Sequence, residues 1–200
     1  MFKKHNHTYH IQRFKEFDEA RVFIEDMSKD EENTLAAIDY MITHKEYYFL
    51  LKNLLKNIKN NRINRKMYEY ALLSLDKCPK REEEKEIYRQ ILRTERTAFV
   101  EPLIDFLKSC SCELKDFLFS LMDENSPELR RIAVKALQHC PDKTADNRIL
   151  QLAVKERNQK VLREIAKYIQ LFITNKQKLE EVIQKNSELK TIIKNYTQVG

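Results

Sequence analysis

A chain of 200 residues with 42% hydrophobic and 34% charged residues is long enough for one folded domain and too mixed in composition to be disordered. One glycine and four prolines leave too few turn residues for a series of β-hairpins, so the composition predicts an all-α protein. The single glycine, Gly200, also excludes a glycine-rich phosphate loop and nucleotide hydrolysis through one.

The N-terminal segment gives no sign of export. Residues 1–4 carry positive charge, but no apolar stretch follows them, as a signal peptide would require. The longest apolar run, 47–51, is far shorter than the roughly 18 to 20 residues that cross a bilayer. Four cysteines without an export signal indicate reduced thiols. We therefore expect a cytoplasmic protein with no membrane partner, in which residues 1–11 form a frayed N-terminus.

Along the chain, the apolar periodicity predicts paired helices, each pair made of a first and a second helix. The first helices are predicted at 12–28, 46–59, 82–95, 113–123, 145–156 and 176–185. The second helices are predicted to start near Asn33, Asn64, Thr97, Asn125, Asn158 and Asn186. Asparagine and threonine at these positions can accept hydrogen bonds from the unpaired amides of the first helical turn.

An internal repeat supports this pairing. Residues 71–79 read ALLSLDKCP and residues 133–141 read AVKALQHCP, two units of about 31 residues further on. One helix pair alone buries too little surface to offset its ordering entropy, so neighbouring pairs must stack. We predict an α-solenoid (superhelix) of about six stacked antiparallel helical hairpins in a single domain, 1–200. The repeats are 12–45, 46–79, 80–111, 112–141, 142–174 and 175–197.

Two stretches resemble a known family. Residues 126–137, SPELRRIAVKAL, look like the second helix of a HEAT repeat in the short form of bacterial phycobilisome-lyase-like proteins. Residues 159–169, QKVLREIAKYI, look like the next one. The resemblance implies a superhelix with a protein-binding role and a ladder of contacts between repeats. In that ladder, a polar residue in a turn and an arginine about six positions later connect adjacent repeats, and Asn125 and Arg131 keep that spacing.

The cysteines recur with the repeat. Cys78, Cys110 and Cys140 fall at the ends of second helices, and Cys112 completes a Cys-x-Cys pair. Zinc would need four ligands converging on one point, whereas equivalent positions of stacked helices lie roughly 8 to 10 Å apart. A small buried hydrophobe at a repeated packing position explains the same spacing. We expect structural cysteines, no metal and no cofactor.

The excess positive charge lies in one hairpin. Stretch 47–68 holds six basic residues and no acid, and the other 31 of the 37 basic residues are matched by 31 acidic ones. Three of the six follow each other at i, i+4 and i+7, opposite a stripe of leucines. We predict a partner-binding basic patch, and a merely solvated helix face is the alternative. The patch comprises Lys52, Lys56, Lys59, Arg62, Arg65 and Lys66.

No nucleophile and base stand in a recognisable motif, so we expect no catalytic residues and no enzyme activity. The leading hypothesis is a protein-binding adaptor or scaffold whose partner is another protein, acidic in character. One alternative is a nucleic-acid partner bound by its phosphate backbone at the basic hairpin. The resemblance implies a further alternative, a lyase-type chaperone for chromophore attachment. No small-molecule substrate is evident in the sequence.

Overall fold

The computed structural model describes residues 14–75 and 78–197, so the predicted frayed segment 1–11 lies outside the described residues. These residues form twelve α-helices and no strand, which confirms the all-α prediction. The helices are α1 (Phe17–Glu25), α2 (Glu31–Thr43), α3 (Tyr47–Lys59), α4 (Arg65–Ser74), α5 (Glu82–Leu92), α6 (Thr97–Ser109), α7 (Lys115–Met122), α8 (Pro127–Leu137), α9 (Lys143–Lys155), α10 (Gln159–Phe172), α11 (Lys176–Lys185) and α12 (Ser187–Thr197). None of the helices in these ranges has the length and apolar character needed to cross a membrane.

The chain divides into two compact units, Met1–Phe106 and Leu107–Gly200. In the first unit, α1 packs against α2 and α3, α2 against α3 and α4, and α3 against α5. In the second, α7 packs against α8 and α9, α8 against α10, α9 against α10 and α11, and α12 against α10 and α11. These contacts join helices that are one or two elements apart in the chain. The single domain 1–200 stays a prediction.

The predicted asparagine caps open three of the second helices. The side chain of Asn64 accepts a hydrogen bond from the amide of Met67 (2.9 Å), and that of Asn158 caps α10 in the same way. Asn186 accepts from the amide of Leu189 at 3.0 Å. Each bond satisfies an amide that has no partner within its helix, and such a cap typically stabilises by about 1 kcal/mol.

Two other starts are shifted. Ser126, one residue after the predicted Asn125, caps α8. The cap of α2 is Asp30, three residues before the predicted Asn33, whose own amide donates to the Asp30 carboxylate at 2.7 Å. An aspartate at this position accepts the hydrogen bond and also places negative charge at the positive end of the helix dipole.

The predicted apolar stripes face the core. On α3, Leu51, Leu54, Leu55 and Ile58 are buried, as the i, i+3, i+4, i+7 spacing predicts. Leu137 of α8 is fully buried as well, as the repeat register requires. Removing such a side chain from water contributes roughly 1.5 to 3 kcal/mol, so these stripes hold the helices against their neighbours.

Three turns of the first unit place residues other than glycine in the left-handed region. Lys45, Asn61 and Glu95 have φ values of 63°, 56° and 53°, and each follows the end of a helix. A glycine is usual there because a Cβ is disfavoured at positive φ. The amides beyond α2 and α3 still close the turns, with Glu46 donating to the carbonyl of Met41 at 2.8 Å. With one glycine in the chain, these three turns thus hold residues other than glycine in a strained conformation.

In the first unit, a buried asparagine joins α3 to the turn between α1 and α2. Asn57 is fully buried, and its side chain donates to the carbonyl of Ile24 at 3.0 Å. Its carboxamide oxygen accepts from the amide of Met27 at 3.1 Å. The unpaired groups of that turn are thus satisfied by the neighbouring helix.

In the second unit, an ion pair links successive turns, but not through the residues that the resemblance implies. Arg131 pairs with Glu128 on its own helix at 2.6 Å. Arg130 instead donates to both oxygens of Glu156, at 2.6 and 3.0 Å. Successive side chains of a helix point in directions about 100° apart. Arg130 therefore points differently from Arg131 and reaches Glu156, in the turn that follows α9. Arg131, the arginine that the resemblance implies for the ladder, also lies 3.9 Å from Glu164 on α10.

The expectation of reduced cysteines is also wrong. Cys112 and Cys140 form a disulfide with their Cα atoms 5.2 Å apart, and none of the described cysteines is a free thiol. The separation of 8 to 10 Å between stacked helices does not apply to these residues. Cys112 precedes α7 and Cys140 follows α8, so both lie in turns that approach more closely than the helix axes.

Candidate functional site

The outer face of α3 carries the first half of the predicted patch. Lys52, Lys56 and Lys59 are all exposed, whereas Leu54 and Ile58 between them are fully buried. The helix is held from its buried side by α1, α2 and α5. Lys56 and Lys59 lie in its last turn, where positive charge is favourable beside the negative end of the helix dipole. We call these three residues the lysine row.

The lysine row is not neutralised by the described part of the chain. Lys52 and Lys56 form no ion pair with any described residue. The amine of Lys59 donates to the side-chain oxygen of Gln90 on α5 at 3.2 Å, and this amide carries no charge. The three positive charges of the lysine row therefore remain available to a partner.

The other half of the predicted patch is paired with acids. At the start of α4, Arg65 lies 2.6 Å from Glu69, and Lys66 lies 2.6 Å from Glu31. The hydrogen bond that Lys66 donates lowers the pKa of Glu31, and the one that Arg65 donates to Glu69 raises the pKa of Arg65. These four side chains are largely exposed, so each pair adds little stability but removes positive charge from the surface.

Arg62, in the turn between α3 and α4, is paired as well. Its guanidinium lies 3.4 Å from the carboxylate of Asp26. A hydrogen bond from Ser28 lowers the pKa of Asp26, and the charge of Arg62 adds to this effect. The stretch 47–68 has no acid in sequence, but the fold brings Asp26 and Glu31 to it from the preceding helix pair. The sequence could not show this, because these partners are more than thirty residues away.

A further arginine reaches the end of α3. The guanidinium of Arg96, in the turn before α6, donates to the carbonyl of Ile58 and to the side-chain oxygen of Asn61 (2.6 Å). This contact satisfies a helix carbonyl and brings a positive charge to the end of α3 that carries Lys59. Sequence reasoning missed Arg96, since nothing in its local sequence indicates a contact 38 residues away.

A pocket of about 530 Å³ lies where the turn between α2 and α3 meets the start of α5. Its lining includes Leu51, Tyr48 and Tyr88. Tyr48 is 41% exposed at the surface, while Tyr88 is only 1% exposed. Burial raises the pKa of Tyr88, with a further contribution from the charge of Glu84, so its hydroxyl stays protonated. Among the described residues this hydroxyl has no hydrogen-bond partner.

Charged side chains surround the mouth of the pocket. Lys45, Lys80 and Arg81 line it, are exposed, and form no ion pair within 14–75 and 78–197. Two carboxylates also line it. Glu84 accepts hydrogen bonds from the amides of Lys80 (3.2 Å) and Arg81 (3.4 Å), and Glu46 stands at the start of α3. Among the described lining residues, three cations therefore stand against two carboxylates.

The second helices of the second unit present a surface of a different kind. Arg131 and Lys167 both approach Glu164, at 3.9 and 3.2 Å. The side chain of Glu164 is buried, with the residue only 8% exposed. The hydrogen bond from Arg131 lowers the pKa of Glu128. The charges of this group offset one another, whereas the exposed Lys160 and Arg163 of α10 form no ion pair within the described residues.

The described residues contain no group of three or more His, Cys, Asp or Glu side chains arranged to hold a metal ion. No protein-family model, curated protein or solved structure matches the chain. The resemblance to HEAT repeats therefore stays a prediction that depends on the residues quoted for it.

Proposed function

We propose that the chain is a non-catalytic, HEAT-like α-solenoid that acts as an adaptor and binds an acidic partner protein through the lysine row. The observation that carries this proposal is the row itself. Lys52, Lys56 and Lys59 are exposed on one helix face and have no carboxylate partner among the described residues. Uncompensated charges of one sign attract and orient an oppositely charged partner.

The packing of α3 supports this role. The helix lies between α1 and α5 within the first unit, and its buried residues fix the position from which the lysines project. A surface held in its binding geometry loses less conformational entropy on association than a mobile one. The contacts between helices one and two elements apart are those that a stack of hairpins would make within each unit.

A protein partner fits the charges better than a nucleic acid does. Binding to a phosphate backbone increases with the number of phosphates that cations neutralise. Of the six residues in the predicted patch, Arg62, Arg65 and Lys66 already pair with carboxylates. Three free lysines in a short row match an acidic segment of a protein more closely than an extended duplex.

The lysine row can be tested by charge reversal. A variant with Lys52→Glu, Lys56→Glu and Lys59→Glu should lose most of the partner retained by the wild-type protein, because attraction becomes repulsion. Quantitative mass spectrometry after affinity purification measures this loss. Helical content should be unchanged, since exposed positions contribute little to folding.

A matched control reverses Lys143, Lys155 and Lys190, which are exposed lysines of the second unit. This control has the same change in net charge and should keep the partner. Equal retention of every partner by both triple variants would mean that the lysine row is only a solvated face. Binding by wild type should also weaken as salt rises, because exposed charges are screened over about 8 to 10 Å near physiological ionic strength.

The cytoplasmic localisation proposed from the N-terminal sequence is opposed by the disulfide. Disulfides persist in oxidising compartments and are rare where glutathione keeps thiols reduced. If Cys112 and Cys140 are joined in cells as in the structure, an oxidising compartment is the better proposal. Alkylation of free thiols in intact cells, followed by mass spectrometry, should leave both residues unmodified. Complete alkylation of the two would support the cytoplasm.

A further inference from the structure

The pocket and the lysine row form one continuous surface. Tyr48, which lines the pocket, shares a face of α3 with Lys52, Lys56 and Lys59, since these positions fall within an arc of about 80° at 100° per residue. A rise of about 1.5 Å per residue places Lys59 about 17 Å from Tyr48 along the helix. A segment that enters the pocket can therefore continue along the row.

The interior of the pocket combines an apolar wall with an unused donor. Leu51 and the ring of Tyr48 offer apolar and aromatic surface. The Tyr88 hydroxyl forms no hydrogen bond within the described residues and is not among their fully buried, unpartnered side-chain atoms, so it is open to the pocket and can donate to an acceptor that enters. A ligand acceptor that replaces water at this hydroxyl forms a hydrogen bond shielded from solvent, where such a bond is stronger than in water. An aromatic ring that carries an oxygen matches both features.

We propose that the pocket holds a tyrosine side chain of the acidic partner, whose following carboxylates lie on the lysine row. This inference rests on the proposed function and names the chemistry of the segment that is bound. The ring would pack beside Leu51 and Tyr48, and its phenolic oxygen would accept a hydrogen bond from Tyr88. Buried aromatic anchors surrounded by weaker polar contacts are typical of protein interfaces.

The dimensions fix the length of the acidic segment. An extended chain advances about 3.3 Å per residue, so about five residues after the tyrosine span the 17 Å of the row. Lys45, Lys80 and Arg81 at the mouth of the pocket would attract acidic residues on the other side of the anchor. Aromatic anchoring and charge pairing thus act on one short segment.

The probe is a fluorescein-labelled peptide with one tyrosine followed by about six glutamates, which covers the row with one residue to spare. Fluorescence anisotropy measures its affinity for the full chain at low salt. Replacing the peptide tyrosine by alanine should weaken binding about tenfold, because a buried aromatic anchor is lost. Replacing it by phenylalanine should weaken binding about threefold, because only the hydrogen bond to Tyr88 is lost.

The variant Tyr88→Phe tests whether the hydroxyl in the pocket donates a hydrogen bond to the peptide tyrosine. It keeps the ring and its packing but has no hydroxyl, so it should bind the tyrosine and phenylalanine peptides equally. If wild type binds the tyrosine and alanine peptides equally, the pocket is not used and this inference fails, while the lysine row remains the docking site. If no peptide binds better to wild type than to the lysine-row triple variant, the proposed function fails too.

Discussion

Replacing Cys112 and Cys140 by serine should lower the free energy of unfolding of the second unit by about 3 to 4 kcal/mol. The disulfide closes a loop of 28 residues, and a cross-link of that length removes this much conformational entropy from the unfolded chain. Cys112 is exposed, so its thiol adds little packing that serine would lose. Denaturant titration followed by circular dichroism measures the change.

Two controls show whether the cross-link is responsible. The single variant Cys112→Ser should lose nearly as much stability as the double variant, because either change opens the same loop. Ser111→Ala, next to Cys112 in the chain but outside the cross-link, should have a smaller effect. If the double variant loses less than about 1 kcal/mol, the disulfide does not constrain the unfolded chain as this loop length requires.

The parts of the fold that sequence reasoning predicted are local. Asn64 and Asn158 cap helices because their side chains reach amides two or three residues further on, and this is visible in the order of residues. The lysine row was likewise predicted from spacing alone, since every residue at i, i+4 and i+7 shares a helix face. Helix caps and shared helix faces are set by residues within a few positions of each other, so they depend little on the rest of the fold.

The parts that it missed depend on contacts between distant segments. Arg62 pairs with Asp26, which lies 36 residues earlier, so an acid-free stretch of sequence became half neutral in space. The pocket brings Tyr48 and Tyr88 together from two different helices. The disulfide depends on how closely two turns approach, and a repeat period specifies the helices but not their turns.

The ion pair between Arg130 and Glu156 should be the most sensitive polar contact of the second unit. Glu156 is 3% exposed and accepts from Arg130 at 2.6 and 3.0 Å. It also accepts from the amides of Arg157 (2.9 Å) and Asn158 (2.8 Å). Glu156→Gln keeps the shape but leaves the guanidinium without its counter-charge, which should lower the free energy of unfolding by about 3 kcal/mol or more.

The pH dependence of stability gives a second measure of this contact. Burial alone would raise the pKa of Glu156, but the hydrogen bonds from Arg130 and from the amides of Asn158 and Arg157 outweigh it and lower the pKa below 4.5. A lowered pKa in the folded state stabilises the protein above the unfolded value, and this stabilisation disappears as the pH falls through the folded value. Wild type should therefore lose stability below about pH 4.5, and Glu156→Gln should lose less over that range.

Removing both charges tests whether their pairing is what matters. The double variant Arg130→Met and Glu156→Met has no unpaired charge in the interior, so it should be less destabilised than Glu156→Gln alone. Denaturant titration of wild type, Arg130→Met, Glu156→Met and the double variant completes a double-mutant cycle. The cycle isolates the interaction energy between the two side chains. Additive losses would show that the two side chains act independently, and that the link between these turns depends instead on Asn186, which donates to the carbonyls of Ala153 and Glu156 at 2.7 and 3.0 Å.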